Sequence, residues 1–489
     1  MLSLVGFVAV GVGLFLLAQY TYSSWRQPQL LDHIPTHTFA DGNNSRQRTV
    51  VHGRPFKVSI PVGGYSVKYR IILPKDYLEE IKHLSNNDFS WQLASRIIFA
   101  GDYTGAPERG PWSGKALRVG IHQNLGDINK VLEKRIDDYF ATHLPQKAGE
   151  LPSEHLMSFF VPAIAYVINA ILVGPKLASD PEWVRRTSEF AVDRYIAADD
   201  VRRWPPYLAS VAAPFIPSVR RLRDSRAYVL EKLRPMYEEL RARPDSEKRQ
   251  MRKGSYGFEW LFGGAPEDVS LQDFADTMMR TIIASIHTSG KTISVAFIDL
   301  LTHPKLLKEL QDEVQYAAVD ESIDLDKLVN LDRFLKESQR LSPVFLITMN
   351  RVFTRDYIFK CSGVKFPKGS MTSAAAAAVA TDPGVFTDPN TFDGYRYRRL
   401  REENKESESS LVMGMPTMDS LGFGLGNQAC PGRFMAVNNL KFMMSKLLRG
   451  WDLTLEKNGQ QYLGPRPEMQ YNDFSVVAPA EFSMRLRKL

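Results

Sequence analysis

The stretch Phe423-Gly424-Leu425-Gly426-Asn427-Gln428-Ala429-Cys430-Pro431-Gly432-Arg433 decides how this 489-residue chain is read. Its cysteine is one of only two in the sequence, the other being Cys361. Gly422, Gly424, Gly426 and Gly432 surround it. Glycine permits the tight turns that aim backbone N–H groups at a sulfur. Such donors, together with the dipole of a helix that starts just afterwards, keep a thiol deprotonated. Pro431 suits that helix start, where a missing N–H leaves no bond unmade. Phe434, Val437, Leu440, Met444 and Leu447 recur at helical spacing and predict a helix over 432–448. The pattern reads as a thiolate held open to a large flat cofactor.

Other readings of the same cysteine stand beside this one. A Cys361–Cys430 disulfide is possible, although two cysteines in a long chain make no disulfide framework. A buried structural cysteine is the ordinary alternative. Zinc would need further Cys or His at ligand spacing, and none is near. Gly422, Gly424 and Gly426 also echo a dinucleotide loop, but no apolar strand precedes them and the helix starts too late.

The run resembles the haem-binding signature of the cytochrome P-450 monooxygenases: Phe, two residues, Gly, three residues, Cys, one residue, Gly. Phe423, Gly426, Cys430 and Gly432 match every position. The resemblance implies a mainly α fold with small β-sheets, the cytochrome P-450 fold. Haem b would lie between a long central helix and the cysteine loop, with the Cys430 thiolate as axial iron ligand.

Two further segments agree. Asp332 to Leu341 reads as a helix that stops before Pro343, with Glu337 and Arg340 on one face. Alone, such a pair is an ordinary helix salt bridge. The resemblance makes it a lock of the haem-side core, with a third partner from a Pro-x-x-Phe-x-x-x-Arg segment. Pro389, Phe392 and Arg396 supply that segment. Ser270 to Leu301 reads as one long helix, with Ser270 and Asp273 as an N-cap pair. Phe274, Met278, Ile282, Ile286 and Ile293 form its apolar face. Its middle carries Ala284, Ser285, Ile286, His287, Thr288, Ser289 and Gly290. A groove or kink there would let a hydroxyl face bound dioxygen. In the family this place holds a small residue, an acid and a threonine that delivers protons. Ala284 and Thr288 fit. His287 stands where the acid is usual; it can relay a proton or serve a structural bond.

Haem propionates call for cations. The apolar run Val344 to Met349 predicts a strand; the resemblance sets it beside the haem and makes Arg351 after it the expected propionate ligand. Arg118, with His122 as the alternative, is expected to serve the same edge from an early helix. Relatives carry a Trp or Arg there and a basic residue where this chain has Gln428. Arg433 and Lys441 are expected to offer cations to an acidic electron donor.

The charge balance is 62 basic against 55 acidic side chains, a spread-out excess of +7 that does not read as nucleic-acid binding. Hydrophobic residues make up 44% of the chain, enough for a large core. Leu2 to Ala18 is uncharged and barely long enough to span a bilayer; aromatic residues and Arg26 follow. The expected organisation is a membrane anchor over 1–25, an irregular linker over 26–52 and a haem-thiolate domain over 53–489. The expected location is the endoplasmic reticulum membrane, single-pass, with the catalytic domain in the cytosol. Scarce cysteine fits that compartment. No flavin or nicotinamide site is visible, so electrons would come from outside; the resemblance implies NADPH through NADPH–cytochrome P-450 reductase. The expected substrate is a hydrophobic small molecule, by analogy a fungal terpenoid or related secondary metabolite. Hydroxylation is the default; multistep oxidation, epoxidation, desaturation or ring formation are variants. The alternative from another class is a haem-binding protein without turnover, a sensor or decoy.

Overall fold

The computed structural model describes residues 36–37, 55–59, 69–105, 112–144, 154–320, 322–403, 407–472 and 474–488. The expected anchor lies outside them. So does the expected linker, apart from Thr36 and His37, which pair in parallel with Lys57 and Val58. The chain divides into two compact units.

The first unit comprises Met1–Glu108, Phe190–Tyr228 and Met349–Ala375. It is built on a six-stranded mixed sheet in the order Thr36–His37, Phe56–Ser59, Tyr69–Leu73, Met371–Ala374, Thr348–Phe353, Phe89–Ser90. Ile71 pairs with Lys57 on one side and Thr372 on the other. A strand flanked on both edges is fully enclosed, and Arg70 through Leu73 are all buried. Branched Ile71 and Ile72 suit such a pleated, packed surface.

The second unit comprises Arg109–Glu189, Val229–Thr348 and Ala376–Leu489. It is dominated by helices, chiefly Ser113–His143, Leu156–Val173, Leu271–Leu301, Pro304–Ala317, Val329–Leu341 and Arg433–Gly450. A small antiparallel sheet pairs Trp451–Lys457 with Phe482–Lys488, Leu453 opposite Leu486. Among the described residues, Leu156–Val173 is the one helix long and apolar enough to cross a membrane. It is apolar all round because it is a core helix: Phe160, Ile164, Val167 and Ile168 are buried, and it packs along Leu271–Leu301.

The strand expected over Val344–Met349 begins only at Thr348. The reason lies in where the backbone groups go. Leu346 N–H bonds the Phe474 carbonyl at 2.7 Å, Val476 N–H bonds the Val344 carbonyl at 3.2 Å, and Ala377 N–H bonds the Leu346 carbonyl at 3.0 Å. The apolar run is thus tied to the late hairpin Gln470–Asn472/Ser475–Val477 and to the short helix Ala376–Ala380, not to a sheet ladder.

Candidate haem site

The cysteine loop closes on itself. Cys430 N–H donates to the Phe423 carbonyl at 2.7 Å, Gly424 N–H to Leu421 at 2.9 Å, and Ala429 N–H to Gly426 at 3.1 Å. Gly424 and Gly426 adopt φ of 76° and 60°, the left-handed region that a side chain would strain. Gly422 has a different reason: a Cβ there would lie 2.6 Å from the Gln339 side chain, so the loop start presses on Val329–Leu341. The helix Arg433–Gly450 starts right after the cysteine, with Gly432 as its N-cap. Val437, Leu440, Met444 and Leu447 are buried as expected, while Phe434 is half-buried. Cys430 is partly exposed and Cys361 exposed, and the two form no disulfide.

Below the loop, Glu337 and Arg340 form a fully buried bidentate pair, Nε to Oε2 at 2.7 Å and Nη2 to Oε1 at 2.9 Å. Arg396 joins through Nε to Glu337 Oε1 at 3.2 Å. Arg340 also donates to the carbonyls of Ala380 and Pro389, each at 2.7 Å. Arg396 donates to those of Thr387, Asp388 and Thr391. The three side chains therefore clamp the whole 387–396 segment, whose backbone would otherwise hold buried unpaired carbonyls.

The long helix runs unbroken over Leu271–Leu301, with Ser270 as its N-cap accepting from Asp273 N–H at 3.0 Å. Hydroxyls bond back along the helix: Thr288 Oγ1 donates to the Ala284 carbonyl at 2.7 Å and Thr292 to Thr288 at 2.9 Å. Phe274, Met278, Ile282, Ile286 and Ile293 are wholly buried. One face opens for two turns: Ala284 is exposed, and His287, Thr288 and Lys291 are partly exposed. Thr277 and Val295, on the same line above and below, are buried. His287 turns to the side and its Nε2 lies 2.8 Å from the Ser188 carbonyl. That bond makes Nε2 the protonated nitrogen, since a carbonyl only accepts.

Arg118, on Ser113–His143, donates from Nη2 to the Asn427 carbonyl at 2.9 Å and so reaches the cysteine loop. Arg433 donates from Nη1 to the Cys430 carbonyl at 3.0 Å, and its Nε is buried with no hydrogen-bond partner among the described residues. Burial pulls the Arg433 guanidinium below its ordinary pKa; Cys430 opposes this and Arg118 adds to it. Arg351 lies in the first unit, buried on Thr348–Phe353, 5.5 Å from the Trp91 ring. One of the expected docking cations needs correction: Lys441 is buried and donates to the Leu325 carbonyl at 2.7 Å. Arg433 is partly exposed and lies 4.5 Å from the Phe434 ring.

The sequence model of the Cytochrome P450 family matches residues 121–471. This chain belongs to the cytochrome P450 family. Cytochrome P450 monooxygenase ccsG of Aspergillus clavatus is 28% identical over all of this chain and 99% of its own length. An ent-kaurene oxidase of Gibberella intermedia is 29% identical over 79% of this chain and 73% of its own. Pyrichalasin C-7 hydroxylase of Pyricularia grisea is 28% identical over 83% and 81%. Among solved structures, retinoic acid-bound cyanobacterial CYP120A1 matches with a TM-score of 0.65 at 18% identity, over 93% of this chain and 99% of that one. The mainly α architecture with small sheets is the cytochrome P450 fold.

The P450 cofactor is haem, and the residues present fit it. A partly exposed thiol outside any disulfide stands at a helix start, and the long helix carries a two-turn open face. An orphaned buried guanidinium N–H and Arg118 beside the same loop suit an anionic edge such as a propionate. The protein is an oxygen-incorporating oxidoreductase that acts on a hydrophobic substrate with electrons from a redox partner. Sequence reasoning passed over Lys291, although its spacing of three from Thr288 puts both on one helix face.

Proposed function

We propose that this P450 oxidises a terpenoid or related apolar scaffold in fungal secondary metabolism, with Cys430 as the residue that would hold the haem iron. Bound haem supplies oxygen activation, and a thiolate ligand pushes electron density toward the iron. Phe423, Gly426 and Gly432 hold the loop that presents the sulfur; Arg118, beside that loop, serves a propionate. Glu337, Arg340 and Arg396 position the loop by clamping the segment that leads into it. Ala284 leaves room on the distal face, and Thr288 moves a proton there. Thr288 donates to Ala284, so its oxygen lone pairs remain to accept a proton-bearing partner. His287 orients the helix through Ser188 and takes no direct part in proton delivery.

The observation that carries the reading is the open face at Ala284, Thr288 and Lys291 on a helix whose flanking stretches, Phe274–Ile283 and Thr292–Leu300, are buried. The substrate class rests on the named activities of the relatives, among them an ent-kaurene oxidase. Electrons come from NADPH through NADPH–cytochrome P-450 reductase. An anchor over 1–25, joined by a linker over 26–52 to a catalytic domain over 53–489, holds the protein to the endoplasmic reticulum membrane, facing the cytosol. A membrane-facing surface is supported by Trp204, Val211 and Phe215, exposed by 43%, 65% and 70%, beside Arg203. Aromatic and basic side chains grouped in this way suit a headgroup boundary.

The test is production with a reductase in a host lacking other P450s, fed candidate terpenoids. NADPH-dependent loss of a terpenoid with gain of one oxygen is expected. A thiolate band in the reduced-CO difference spectrum without turnover of any terpenoid would refute the substrate class.

A further inference from the structure

Lys291 follows Thr288 by three residues and Ala284 by seven, so the three side chains fall within about 60° of one another around the helix. They share the open face described above. Lys291 is partly exposed, and its Nζ stands 5.7 Å from the centre of the Phe345 ring. Phe345 is bridged to Ser475 of the late hairpin. Phe345, Phe474 and Ser475 are themselves only partly buried. The ammonium thus looks into the same opening as Thr288, one helical turn along.

Lys291 forms no ion pair among the described residues. Burial alone depresses its pKa, and no neighbouring charge enters. A half-buried ammonium against one aromatic ring is under-compensated: the ring quadrupole offers less than the water it replaces. Other cations around the site have acceptors: Arg340 and Arg396 have Glu337, Arg118 has the Asn427 carbonyl, and Arg433 has the Cys430 carbonyl with one N–H left over. A purely hydrocarbon substrate has no use for a cation at the opening.

We infer that Lys291 is a specificity-determining residue that pairs with a carboxylate on an otherwise apolar substrate and so fixes which carbon is presented beside Thr288. The inference rests on the haem site proposed above and narrows its substrate to an acid. A charge-assisted bond of this kind, shielded from water, orients a greasy molecule that shape alone would hold loosely.

The full-length, haem-loaded protein is titrated with dodecanoate, dodecan-1-ol and dodecyltrimethylammonium, and binding is read from the displacement of the haem Soret band. The native protein should bind dodecanoate roughly tenfold or more tighter than the alcohol. Lys291→Met should erase that preference, Lys291→Arg should keep it, and Lys291→Glu should transfer it to the quaternary ammonium. A native protein that binds acid and alcohol alike, or a Lys291→Met variant that still prefers the acid, would overturn the inference. The reduced-CO difference spectrum of each protein is recorded in parallel. A thiolate band with no acid preference rejects the role of Lys291 alone; absence of the band in the native protein rejects the haem site itself and the inference with it.

Discussion

Arg340→Met and Arg396→Met should differ sharply, although both remove one arginine from the same buried cluster. Arg340 holds both oxygens of Glu337, at 2.7 and 2.9 Å, with both side chains fully enclosed. Removing one partner of such a pair leaves the other charge poorly compensated and costs about 3–5 kcal/mol. The carbonyls of Ala380 and Pro389 lose their guanidinium donor as well. Each buried carbonyl left unmade adds about 1–3 kcal/mol. The sum reaches about 5–11 kcal/mol, comparable with the whole stability of a folded domain. Arg396→Met leaves the bidentate pair intact. It gives up one bond to Glu337 at 3.2 Å and the bonds to Thr387 and Asp388. The Thr391 carbonyl keeps its contact with Arg340 at 3.3 Å. Both variants are expressed beside the native chain, and haem content and the reduced-CO thiolate band are measured in the soluble or detergent-extracted fraction. The half-life of that band on mild heating follows, because a chain of two units need not unfold in one reversible step. Arg340→Met should yield almost no thiolate-ligated protein. Arg396→Met should yield a loaded protein with a clearly shorter half-life. Equal accumulation of Arg340→Met and native protein would refute the clamp argument.

Cys430→Ala should lose the thiolate band and most bound haem, whereas Cys361→Ala, at an exposed free cysteine, should behave as native; difference spectra and haem content check both. Thr288→Ala should uncouple NADPH use from product and raise peroxide release, while His287→Asn should leave coupling nearly unchanged; stoichiometry of NADPH, product and peroxide decides. Gly290→Leu should destabilise the protein by about 1–3 kcal/mol through overpacking. The measured quantity is again the half-life of the thiolate band. A Cβ at that position already lies 2.7 Å from Val161 Cγ2.

The parts of the site that were legible in the sequence are those fixed by local rules. The cysteine loop was readable because glycines, Pro431 and the following helical repeat must be contiguous to work. The start of the long helix was readable from Ser270 and Asp273, and its buried stripe from the 3.6-residue period of its apolar residues. The strand expected at Val344 was displaced because apolar runs look alike whether their backbone bonds go to a sheet or to a distant hairpin. Lys441 looked like a surface cation because a sequence shows charge but not enclosure. The carbonyl of Leu325 and the carboxylate of Asp332, 3.8 Å from its Nζ, hold it inside. His287 remained double-valued for the same reason: only the approach of Ser188, 99 residues earlier, assigns its ring a partner.

By itself the sequence determined that a cysteine is held in a glycine loop ahead of a helix, that a long helix carries Ala284 and Thr288, and that Glu337 and Arg340 share a face. These follow from backbone geometry and periodicity, which act over a few residues. Tertiary structure alone decided which charges are enclosed and which face of the long helix stays open. It joined Glu337 to Arg396 across 59 residues and left Lys291 looking into the opening beside Phe345. Burial and pairing are properties of packed neighbours far apart in the chain, and no local pattern encodes them.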